Sequence, residues 1–333
     1  MLSTETESMF RDAIVIDGCS FFATEWTKRQ EVSGVTALQM TAPMPWFSAC
    51  DAFDAIHKHV ALTEREPRFT IIKTTDDIRA AKAAGNVGFI LGAQNAQYFE
   101  YDAASVADFF AAGIRFTQLT YNERNLLGDG CLEPSNVGLS NFGKRIVSEM
   151  NRVGMQIDLS HVGERTSLDA IEHSTKPCIF SHSNPRARVD NPRNISDEQM
   201  KACAAEGGVI GLTSYAPLVW MGDGPPTIDD IIGHIEYTVD VVGIDHVSFG
   251  TDSEVTPGQY PASVTNRLAA DYPETTAPLK AAHPGVSLTA GFESMECFPH
   301  LASALADRGW RNDDLKKLLG ENLMRVYREN WGA

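Results

Sequence analysis

The stretch MQIDLSHVGERTSLDAIEHSTKPCIFSHS, residues 155–183, holds two apolar runs, 155–161 and 177–182, on either side of an amphipathic segment, GERTSLDAIEHS. Two such runs joined by one helix predict a βαβ unit, with parallel strands and the helix lying over one face. The runs end in DLSH and FSHS, so His161 and His182 stand at the same end of neighbouring strands.

Working outward from this unit, the same alternation recurs. Six further apolar runs lie at 14–17, 35–41, 87–94, 115–121, 209–215 and 246–252, with helical patterns such as ACDAFDAIHKHVALTE, NFGKRIVSEMNRVG and TIDDIIGHIEYTVDVVG between them. Several of these open on Ser, Thr, Asp or Asn and close on Gly, the expected cap chemistry. Eight strand–helix units predict a closed (β/α)8 TIM barrel of the α/β class better than an open doubly wound sheet. No GxGxxG follows an early strand, as a dinucleotide-binding fold would require. The pattern predicts one barrel domain over residues 1–333, with 294–331 a helical extension packed on it. The irregular stretch 256–291 reads as a long loop near the active face.

Composition narrows the function. Lys+Arg 28 against Asp+Glu 44 gives a net charge of −16, which disfavours nucleic-acid and anionic-membrane partners. No apolar run approaches the roughly 18 residues that span a bilayer, and the polar, acidic start lacks a signal-peptide pattern, so a cytoplasmic protein is expected. The six cysteines are scattered without a CxxC pair, which fits reduced thiols.

Barrel enzymes work at the C-terminal ends of their strands. Those ends offer Gln94–Asn95, Tyr121–Asn122, His161, His182, Tyr215 and Asp252. Two imidazoles on adjacent strands with a carboxylate closing the ring form a metal-site constellation, and imidazole suits zinc. The other seven histidines read as structural or surface residues.

With these residues assembled, the chain resembles the membrane (renal) dipeptidase family, metallopeptidases on an amidohydrolase-type barrel. The resemblance runs through LSNFGKRIVSEMNRVGMQIDLSHV, KPCIFSHSNPRARVDNPRNISDEQ, GGVIGL, GIDHVSFGTD and LLGENLMRVY. It implies dipeptide hydrolysis at a two-zinc site and a homodimer. One metal would be held by His161 and His182. The other would need an HxD at the first strand end and an aspartate matching Asp252, with a glutamate bridging the pair. Arg193 matches an arginine that holds the substrate carboxylate.

Four positions depart from that pattern. Cys19-Ser20-Phe21 replaces the HxD, Gln94 the bridging glutamate, and Tyr121 a substrate-polarising histidine. Phe21 has no donor, so a mononuclear centre is expected, binding one divalent ion, zinc with manganese or iron as alternatives. Beside His161 and His182, Gln94, Asp252 or a Cys19 thiolate would complete it. Cys19 reads equally as a packing residue, and Cys131 is a further candidate. Asp252 is the expected general base and Tyr121 the oxyanion donor, with Arg193, Tyr215 and Asn122 toward substrate. Arg193 also fits an ion pair steadying the loop before Ser196. The expected activity is hydrolysis of a C–N bond in a small carboxylated substrate. A one-metal lyase or decarboxylase and a metal-deficient binding protein stay open as alternatives.

Overall fold

The computed structural model describes residues 4–256, 258–259, 267, 270–286 and 288–332. Ten strands are present: β1 (Ile16–Phe21), β2 (Ala37–Thr41), β3 (Phe69–Ile71), β4 (Val87–Ala93), β5 (Phe116–Gln118), β6 (Gln156–Asp158), β7 (Ile179–Phe180), β8 (Val209–Thr213), β9 (Val247–Gly250) and β10 (Ser253–Glu254). They form one parallel sheet in the order β10-β1-β2-β4-β5-β6-β7-β8-β9, and β3 pairs with the first half of β4. Only Thr251 and Asp252 separate β9 from β10, and Asp252 N–H donates to the Cys19 carbonyl at 2.9 Å. The two ends of the sheet therefore meet, and it curls into a TIM-barrel-like fold of the amidohydrolase type. All eight expected strands overlap observed ones; β3 and β10 are additions.

Helices cover the outside of the sheet, so most of its strands are buried on both faces and read as largely apolar runs, with Asp17, Gln39, Gln118 and Asp158 as buried polar exceptions. Capping boxes open several of these helices, pairing Ser48 with Asp51, Thr74 with Asp77 and Ser196 with Gln199. Inside the sheet, Ile16, Ala37, Ile90, Phe116, Ile179 and Val209 form a buried layer with Leu323, Val326 and Tyr327. The helix Asn322–Trp331 thus closes the lower end of the barrel. Two residues further along the same strands, hence on the same inner face, stand Gln39, Gln118 and Ser181, all buried. On that side the strands approach closely. A Cβ at Gly18 would lie 2.7 Å, and one at Gly250 2.5 Å, from the Ser181 carbonyl oxygen.

The strands end earlier than the apolar runs. Regular pairing stops at Gln118, Asp158 and Gly250, and left-handed backbone follows at Asn122 (φ 58°), His161 (φ 67°) and Asp252 (φ 54°). Part of the expected loop over 256–291 lies outside the described residues (257, 260–266, 268–269 and 287). Its described portion includes the helix Ala277–Ala282, and Tyr272 meets Tyr121 edge to face at 5.7 Å. No helix among the described residues is long and apolar enough to cross a membrane.

Candidate metal centre

His161 and His182 follow β6 and β7, and their rings converge with Nε2 to Nε2 at 3.0 Å. What each ring does at its other nitrogen decides the character of this contact. His161 Nδ1–H donates to Asn122 Oδ1 at 2.7 Å. The Ser181 hydroxyl donates to Asp158 Oδ2 at 2.5 Å, so its oxygen accepts from His182 Nδ1–H at 2.7 Å. Asp158 is held in turn by the Ser160 and Ser181 amides and by Gln118 Nε2, each at 3.0 Å. With both protons fixed on Nδ1, both Nε2 lone pairs face one point, and a cation there converts a repulsion into two bonds. Burial, and then the Arg193 charge, hold both imidazoles well below the usual histidine range. They are therefore neutral at neutral pH, the form that ligates.

A second group shares His182. Ligand atoms of Cys19, His182 and Asp252 all lie within 4.8 Å of one another. Cys19 Sγ–H donates to Asp252 Oδ1 at 3.4 Å, and Gln94 Nε2 donates to Cys19 Sγ at 3.3 Å and to Thr41 Oγ1 at 3.0 Å. Burial, followed by Asp252, Asp17 and Asp158, pushes the thiol well above its ordinary range, and burial also raises the Asp252 carboxyl. With His182 common to both groups, an imidazole, a sulfur and a carboxylate make a donor set suited to zinc, and His161 stands beside it. Phe21 stands one residue past Ser20, its ring against Phe22 at 5.6 Å.

The remaining candidates surround these groups. Tyr121 stacks on His161 with centroids 4.2 Å apart. Arg193 is 4% exposed, with Nη1 donating to Ser183 Oγ at 2.9 Å and Nη2 to the His182 carbonyl at 2.8 Å. No carboxylate among the described residues forms an ion pair with it. The expected alternative, an ion pair steadying the loop, is thus absent there. Its charge acts on His161, His182, Asp252, Tyr215 and Cys131. Burial pushes the Tyr215 phenol up to about 12. Asn122, expected toward substrate, turns its carbonyl oxygen to His161 and also accepts from Cys131 Sγ–H at 3.3 Å.

Three features of this centre escape the sequence. Ser181 and Asp158 orient His182 from behind, and Asn122 orients His161. Four of the six non-glycine residues with positive φ among the described residues, namely Phe22, Asn122, His161 and Asp252, cluster at these strand ends. Such backbone costs roughly 1–3 kcal/mol per residue and collects at functional sites.

The sequence matches the membrane dipeptidase family (peptidase family M19) over residues 22–280 and 281–331. Dipeptidase tcpJ of Claviceps purpurea is 27% identical over 267 residues, 79% of this chain and 55% of that protein. The chain spans 55–62% of the length of three curated relatives it matches. An amidohydrolase from Pseudomonas aeruginosa superposes with a TM-score of 0.89 at 34% identity, covering 98% of this chain and 99% of the other. A metallopeptidase from Rhodobacter sphaeroides, crystallised with a phosphinate mimic of L-Ala-D-Ala, gives 0.77 at 21% identity over 96% and 100% of the chains, a likeness of fold. The chain belongs to the membrane dipeptidase family.

Proposed function

We propose that the chain is a metal-dependent hydrolase that cleaves the C–N bond of a small, carboxylated, dipeptide-like substrate at a centre binding one zinc ion. The observation that carries this is the pair of Nε2 atoms facing each other at 3.0 Å between His161 and His182, left without protons when both Nδ1 atoms donate to Asn122 and Ser181. The family supports a divalent metal and a dipeptidase-type reaction, and several relatives bear the name dipeptidase.

When bound, zinc supplies carbonyl polarisation and a water acidified toward neutrality. The chain's own residues do the rest. Asp252, beside His182 and Cys19, takes a proton from the attacking water and returns it to the leaving nitrogen. Its burial makes it a stronger base than an exposed carboxylate. Tyr121, stacked on His161, donates its phenolic hydrogen to the oxygen on which negative charge develops. Arg193, a buried cation with no carboxylate partner among the described residues, receives the substrate carboxylate. Tyr215 lines the pocket near Asp252 and Arg193.

The test combines elemental analysis with turnover. The purified protein, reconstituted with zinc and dialysed, should hold about one ion per chain and hydrolyse members of a panel of L,L- and L,D-dipeptides. His182→Ala should lose both ion and activity. Two ions per chain would refute the mononuclear centre. No ion after exposure to zinc, manganese and iron would refute the hydrolase and leave a binding protein. One ion with no dipeptide turnover would move the reaction out of peptidases.

A further inference from the structure

We propose that Cys19 is a thiolate ligand of the metal, with Gln94 as hydrogen-bond donor to its sulfur, which makes the centre a Cys–His–Asp site selective for thiophilic ions. This rests on the metal-dependent reading above and specifies the site's chemistry.

The argument begins with how the sulfur is placed. The β1–β2 register slips between Asp17 and Ser20, the stretch that holds Gly18 and Cys19. The Cys19 carbonyl accepts from Asp252 N–H at 2.9 Å and from the Thr251 hydroxyl at 3.3 Å. Backbone bonds thus hold residues 19 and 252 side by side, and their ligand atoms lie within 4.8 Å of the His182 nitrogen. Such spacing of a sulfur, an imidazole nitrogen and a carboxylate oxygen lets one ion reach all three with small side-chain adjustments, at zinc bond lengths of about 2.0–2.3 Å.

The contacts of Cys19 also differ from those of a packing cysteine. Cys178 and Cys203, both buried, turn their thiols to the backbone carbonyls of Lys176 and Cys178. Cys19 instead donates to a carboxylate and receives an amide N–H. That N–H, from Gln94 Nε2, would stabilise a thiolate, whereas a carboxylate at position 94 would face it with like charge 3.3 Å away. The two replaced positions, 19 and 94, are therefore in direct contact and electrostatically matched. On ligation the thiol proton leaves to solvent as the sulfur–metal bond forms. Sulfur then favours zinc, cobalt or iron over magnesium and manganese.

Cobalt(II), titrated into the metal-free full-length protein, reads this directly. The wild type should show visible ligand-field bands together with a near-ultraviolet sulfur-to-cobalt charge-transfer band. Cys19→Ser and Cys19→His should keep the visible bands and lose the near-ultraviolet one. Zinc affinity of Cys19→Ser, by chelator competition, should fall by at least the ~10–100-fold that losing an outer-shell partner costs. Visible bands without the charge-transfer band in the wild type, or a band that survives in both variants, would overturn the thiolate ligand and leave the one-ion hydrolase standing. Failure of cobalt and zinc to bind at all would overturn both.

Discussion

Arg193→Met, studied on a dipeptide and on the same dipeptide with its C-terminal carboxylate converted to an amide, isolates the contact assigned to that guanidinium. Nη1 and Nη2 each spend one hydrogen within the protein, on Ser183 Oγ and on the His182 carbonyl. Each nitrogen keeps a second hydrogen, so two charge-assisted bonds to a carboxylate remain available, at about 1.5–3 kcal/mol each. Allowing for the cost of ordering the substrate, about 3 kcal/mol of discrimination should survive, roughly 150-fold in kcat/KM. The wild type should therefore prefer the acid over the amide by about that factor, and Arg193→Met should show little preference. Because Arg193 also props the His182 carbonyl, the variant will slow both substrates somewhat; the cycle subtracts that common loss. Equal losses on acid and amide, with coupling below about 0.5 kcal/mol, would show that Arg193 only braces His182 and binds no substrate carboxylate.

Ser181→Ala cuts the link from Asp158 to His182 and frees the ring to take its other tautomer. Zinc affinity should fall about 10–100-fold in a chelator competition, and unchanged affinity would rule out the relay. His234, buried with Nε2 at 3.2 Å from the Val219 carbonyl, has its pKa lowered by burial from 6.5 to about 4. A depressed folded-state value means its contribution is present above pH 6.5 and lost as pH falls through about 4, and this gap is worth about 3 kcal/mol. Urea unfolding of His234→Gln should accordingly show an acid limb flatter by about that amount. The Tyr327 hydroxyl is buried without a partner. Tyr327→Phe should be neutral or stabilising by up to about 1–2 kcal/mol, whereas Tyr327→Ala, emptying the lower end of the barrel, should cost about 3–5 kcal/mol by the same assay.

The eight barrel strands are legible because strands covered on both faces read as largely apolar runs. β3 hides because three residues in RFTII carry no period, and β10 because it resumes β9 after two residues. His161, His182 and Asp252 are legible by residue type and position at strand ends. What turns them toward one another is not. Positive φ at Asn122, His161 and Asp252 is only weakly marked in the sequence: Asn, His and Asp tolerate it better than other residues, but nothing local demands it of them. Ser181 reads as an ordinary turn residue until the neighbouring strand brings Asp158 to its hydroxyl. Asn122 illustrates the same limit. At a strand end it looks like a substrate contact, yet its oxygen is occupied by the His161 ring and the Cys131 thiol.

The proposed single-ion centre has an electrostatic argument behind it. Two dications about 3.5–4 Å apart, the spacing of two-metal sites, repel by about 17–19 kcal/mol even at an effective dielectric of 20. Anionic ligands between and around them must offset that. Gln94, where the family resemblance implies a bridging glutamate, is neutral, and its amide nitrogen turns toward the Cys19 sulfur. Phe21 brings no donor, and the buried Arg193 adds a third positive charge acting on His161, His182 and Asp252 alike. Asp252 is then the one carboxylate in the ligand group, and a thiolate at Cys19 would be the second anion. In the proposed centre one dication is neutralised by that pair, with Arg193 left over to hold an anionic substrate; a second dication would find no further anion in the ligand group. With the two anions offsetting a single ion, the Arg193 charge leaves the proposed site one positive charge in excess until a substrate carboxylate enters, which ties the proposed single metal to a carboxylated substrate.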